Sequence, residues 1–125
     1  MSIITDNTVL IHIYSGLESI NKVTLGLLVA LEAEKNDHKV TLFLAGDGVD
    51  VLSCKKAGEI VGQGTGDLYE HLENLKNSKV SVYVLGASAK SRGYDENLLE
   101  GYNAEFAMPD LLVDESIKAD SVLCY

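Results

Sequence analysis

"KVTLFLAGDGV" (Lys39–Val49) decides the fold. Val40, Thr41, Leu42, Phe43 and Leu44 form a nearly continuous apolar run rather than an apolar–polar alternation. Such a run fits a strand buried on both faces, and those strands belong to parallel sheets covered by helices on either side. Gly46 and Gly48 then let the backbone turn sharply. Asp47, between them, either caps the next segment or faces a ligand.

Two more runs read the same way. "TVLIHIY" (Thr8–Tyr14) precedes a helix predicted to start near Ser15 and Glu18, which have capping-box spacing; Ile20, Val23, Leu27 and Leu31 carry it toward Asp37. "KVSVYVLG" (Lys79–Gly86) is the third strand. Before it, Asp67 and Glu70 have capping-box spacing and Leu68, Leu72 and Leu75 form a helical stripe. Beyond it come a loop with a short helix, a minor strand at "AEFA" (104–107), a helix opening at Pro109 and running to about Lys118, and a last strand in "ADSVLCY". Strand and helix alternate, which predicts a single three-layer α/β domain over 1–125, with a mainly parallel sheet of about five strands and the first three central.

The chain has 125 residues, 46% apolar and 23% charged, in the range of an ordinary globular domain. Its 19 acids outweigh 10 bases, for a formal charge of −9. That field repels a phosphate backbone and an anionic membrane, so neither nucleic acid nor lipid is expected as a partner. The start, "MSIITDNTVLIHIYS", has no basic n-region or small-residue cleavage site, and no apolar stretch is long enough to span a bilayer. Two cysteines do not make a disulfide framework in a chain of this length, so reduced thiols and a cytoplasmic location are expected.

Several motifs have two readings. "GQGTGD" (Gly62–Asp67) lacks the strand before it and the spacing of a dinucleotide fingerprint, and the Lys-Ser/Thr of a P-loop; it reads as a mobile surface loop or a lid. Cys54 precedes Lys55 and Lys56, cations that favour a thiolate, yet no histidine nearby can serve as its base; it is an ordinary helical cysteine or the one candidate nucleophile. Cys124 reads as core packing. His12, His38 and His71 do not form a ligand set, so neither metal nor cofactor is expected.

The strongest local signal follows the third strand. "GASAKSRG" (Gly86–Gly93) is small-residue chain at the carboxyl end of a buried strand, where open parallel sheets bind their ligands. Arg92, the only arginine, gives it an anion-facing donor fork, unless Arg92 pairs with Asp95, Glu96 or a neighbouring subunit. The expected crevice is lined by Gly86, Ala87, Ser88 and Arg92, with Asp47 and Gly48 across from them and Leu85 as an apolar floor. Its backbone N–H groups and Arg92 would meet a small anion.

"KVTLFLAGDGV", "VSVYVLGASAKSRGY" and the closing "ADSVLCY" together resemble the DsrE/DsrF-like family, to which the bacterial sulfur-relay TusD-type subunits belong. The resemblance covers nearly the whole chain. It implies a YchN-like, flavodoxin-like α/β fold and homo- or hetero-oligomers, commonly trimers or hexamers. Sulfur-carrying members place a cysteine near the end of the third strand, shortly before the Arg-Gly pair. Aligning on Arg92-Gly93 puts Leu85 there, and a leucine holds no persulfide. The resemblance therefore implies an oligomer that binds a small anion or a partner protein. The alternatives are a persulfide relay through Cys54, or a structural subunit of a sulfur-relay complex whose partner supplies the chemistry.

Overall fold

The computed structural model describes residues 7–125. Residues 1–6, the start of the segment read as lacking a signal peptide and of the 1–125 domain, lie outside the described residues. Five strands form one parallel sheet: β1 (Thr8–Ile13), β2 (Lys39–Leu44), β5 (Ser81–Leu85), β6 (Ala104–Ala107) and β7 (Ser121–Cys124), in the order β6-β5-β2-β1-β7. The three apolar runs are the central strands, as expected. In β2 every residue from Val40 to Leu44 is buried, since helices cover both of its faces.

Helices α1 (Ile20–Lys35) and α2 (Leu68–Lys76) cover one face. There Ile11, Ile13, Leu42, Leu44, Val82 and Val84 meet Val23, Leu27, Leu68 and Leu72 in the main core. The chain steps β1, β2, β5, β6 toward one edge; α4 (Pro109–Lys118) then carries it back across the opposite face to β7. That second face is thinly covered. Leu10 and Phe43 are buried beneath Leu111 and Leu112 of α4, yet no residue of α4 is itself buried. All of β7 is exposed. Cys124 is therefore not core packing: β7 is an edge strand with no layer over it, although "SVLCY" has the composition of an interior strand.

Local readings differ in detail. Glu18 reaches back to the backbone N–H of Gly16 (3.1 Å) rather than of Ser15, and a 3₁₀ turn at Leu17–Ser19 delays α1 to Ile20. Asp67 caps α2 by accepting from the Tyr69 N–H (3.0 Å), as its spacing predicts. "GQGTGD" is a small antiparallel hairpin, β3 (Val61–Gly62) with β4 (Gly66–Asp67). It is pinned rather than loose: Thr65 and Thr24 hydroxyls lie 2.6 Å apart, and Gln63 N–H donates to Asn21 Oδ1 (2.7 Å).

Candidate functional site

The carboxyl ends of β2 and β5 bring the expected segments together. After β2 the chain winds through a 3₁₀ helix, Gly46–Ser53. After β5 it turns directly into α3 (Gly86–Ser91), a short helix where the glycine, alanine and serine content predicts a loop. Tertiary bonds hold α3 in place. The Gly46 N–H donates to Ser88 Oγ (2.9 Å), tying the two segments at their starts. Arg92, just past α3, donates to Ser88 O (3.0 Å) and Ser91 Oγ (3.3 Å).

The far side of the guanidinium meets carboxylates. Arg92 donates to Asp47 Oδ1 at 2.6 Å, and its Nε lies 3.9 Å from Asp50 Oδ2. Asp50 also accepts from the Tyr94 hydroxyl at 2.6 Å. Burial is the first cause raising the Tyr94 hydroxyl pKa, and that bond to Asp50 is the second. Asp47 is thus neither a helix cap nor an unpaired group facing a ligand: it is paired with Arg92. Arg92 in turn is held within its own chain, by two aspartates rather than by Asp95 or Glu96. Asp50 was legible in principle, because a 3₁₀ helix has three residues per turn and places Asp47 and Asp50 on one side.

The other predicted site residues are dispersed. Gly48 is buried behind the end of β1, where a Cβ would collide with the Ile13 carbonyl; it is a packing glycine rather than a crevice wall. Leu85 packs on the second face with the Phe43 cluster. Ala87 is exposed on α3. Cys54 is 5% exposed and belongs to the main core, on the opposite face from Leu85, with its Sγ 3.8 Å from the Lys56 carbonyl oxygen. The structure does not bring Cys54 to Leu85.

A cavity of about 630 Å³ opens on the flank of α3 away from Asp47. Gly86, Lys90, Tyr94, Asp95, Glu96 and Phe106 line it. Gly86 and Lys90 belong to the Gly86–Gly93 segment expected to line a crevice; Tyr94, Asp95 and Glu96 follow α3, and Phe106 comes from β6, whose side of the sheet no motif marked. Among the described residues no group of three His, Cys, Asp or Glu side chains is placed to hold a metal ion, and no helix is long and apolar enough to cross a membrane.

A model of the DsrE/DsrF-like family matches residues 8–125. The fold is similar to that of the YchN protein from E. coli, whose crystal structure matches with a TM-score of 0.72 over 97% of this chain and 100% of that one, at 19% identity. No curated protein matches the chain in sequence. The family match runs from the first residue of β1 to the end of the sheet, and the chain belongs to the DsrE/DsrF-like family.

Proposed function

We propose that this chain is a binding subunit that does not carry sulfur, and that its ligand or partner docks at the carboxyl edge of β5 beside α3. The observation that carries this reading is Leu85 at the end of β5, in the place that alignment on Arg92-Gly93 gives to the sulfur-carrying cysteine, with neither thiol nearby to replace it. Cys54 is buried on the other face, and Cys124 lies on an edge strand three positions across the sheet from β5. A persulfide needs an accessible thiolate, and a cysteine packed among apolar side chains is inert. The cationic neighbours of Cys54 do not change this, because Lys55 and Lys56 are turned to solvent. The second part of the proposal is that the subunit works as a homo-oligomer, a trimer or hexamer.

Incubation with a cysteine desulfurase and sulfur-labelled cysteine tests the reading. The protein is expected to stay unlabelled. Label that wild type retains and Cys54→Ser loses would make Cys54 a relay thiol and overturn it.

A further inference from the structure

We infer that the cavity between α3 and β6 binds a primary amine carried on an aromatic body. The inference rests on the binding reading above and names the ligand class. Charge decides the sign of that ligand. Around α3 the sheet edge holds four carboxylates, Asp47, Asp50, Asp95 and Glu96, against two cations, Lys90 and Arg92. Arg92 is paired with Asp47 at 2.6 Å and flanked by Asp50 at 3.9 Å, so an anion arriving there meets two carboxylates that already neutralise the guanidinium. Inside the cavity one lysine faces two acids, and the chain as a whole carries −9. An acidic concavity on an acidic protein concentrates cations.

The two acids are available. Asp95 Oδ1 accepts from the Asn97 N–H (2.9 Å), which leaves its second oxygen; neither Asp95 nor Glu96 makes an ion pair among the described residues. An ammonium group has three donors and can engage both carboxylates at once. A metal ion would need more oxygen ligands than this pair supplies. The body of the ligand is set by the walls. Phe106 reaches in from β6, and the Tyr94 hydroxyl is already taken by Asp50, so its ring is what the cavity can use. Aromatic walls favour a flat apolar group and add cation–π attraction for an ammonium nearby.

The test is a titration of the isotope-labelled protein, followed by amide chemical shifts, with two probes of like body and opposite charge: phenethylamine and 3-phenylpropionate. Phenethylamine is expected to shift amides of 86–97 and of Phe106 saturably at millimolar concentration, while 3-phenylpropionate does not. Glu96→Gln should weaken the amine about fivefold, the scale of one exposed charge-assisted contact, and Lys90→Gln should tighten it. Equal or better binding of the acid, an amine response indifferent to Glu96→Gln, or no saturable response to either probe would overturn the inference. Such a failure leaves the thiol argument standing, whereas a persulfide-labelled protein overturns that argument whatever the titration gives.

Discussion

Tyr102 shows how one side chain records its surroundings. It stands against the main core beside α2, with Lys76 Nζ 5.0 Å from its ring centroid. Burial first, then the negative charge of Glu73, with smaller contributions from Cys54 and Tyr69, pushes its hydroxyl pKa far above the ordinary value of 10. In the unfolded chain the phenol ionises near about pH 10, whereas in the folded chain it stays protonated. Its contribution to stability is therefore fully present below about pH 10 and is lost as pH rises from there toward the folded pKa. Tyr102→Phe keeps the ring and the lysine contact but removes the titration. Urea unfolding between about pH 9 and about pH 11 should show a shallower alkaline loss of stability in the variant than in wild type. Parallel curves would mean that Tyr102 is solvated. Tyr94 shifts in the same direction, so the slope should diminish rather than vanish.

At the scale of elements, α3 is the segment whose structure depends most on others. Six residues beginning with glycine cannot sustain a helix alone, because nucleation is costly and isolated helices this short are marginal at best. Ser88 holds its start against Gly46, and Arg92 holds its end against Asp47 and Asp50. Arg92→Ala should therefore speed hydrogen exchange in the amides of α3 and lower stability by about 1 kcal/mol or less, since the Asp47 side of the pair is largely exposed. Unchanged exchange would show that Ser88 suffices. A wild type that gains nothing in thermal stability from sulfate would be consistent with a guanidinium already occupied. The same dependence explains what the sequence hides. The central strands are legible because burial on both faces leaves a continuous apolar run, a signal that needs no knowledge of partners. Asp67 as a cap is legible because the N–H it accepts from, that of Tyr69, is only two residues away. Helix α3 was not, because its partners lie on a segment some forty positions earlier. For the site, Arg92 and Asp47 could be picked out one by one; that they consume each other is a fact of topology.

For the whole molecule the two faces of the sheet are unequal, and the self-association proposed above is predicted to use the barer one. Aromatic residues in or beside loops and ends make Tyr69, Tyr94, Tyr102 and Tyr125 the interface groups expected from the sequence; all four are partly buried against the main core. The apolar surface lies elsewhere. On α4, Val113 and Ile117 are 56% and 78% exposed and sit four residues apart, on one side of the helix. On the sheet face that α4 leaves uncovered, Tyr14 is 54% and Val122 42% exposed. Val122 is in register with Leu10, which α4 buries, so the helix and the bare strand stand side by side on one face. A helix that turns an aliphatic pair outward next to an edge strand without a covering layer has the composition of an interface core rather than of a solvated surface. Light scattering at micromolar protein is expected to give a multiple of 13.5 kDa, and a single 13.5 kDa species would reject self-association. Ile117→Glu tests the location. Burying an aliphatic side chain contributes about 1.5–3 kcal/mol, and a carboxylate in its place adds a desolvation cost. The variant should raise the dissociation constant about a hundredfold or more while retaining its circular dichroism, because Ile117 supports nothing inside its own chain. If wild type is oligomeric and Ile117→Glu leaves the oligomer intact, the subunits meet through another surface and the exposed side of α4 is not part of it.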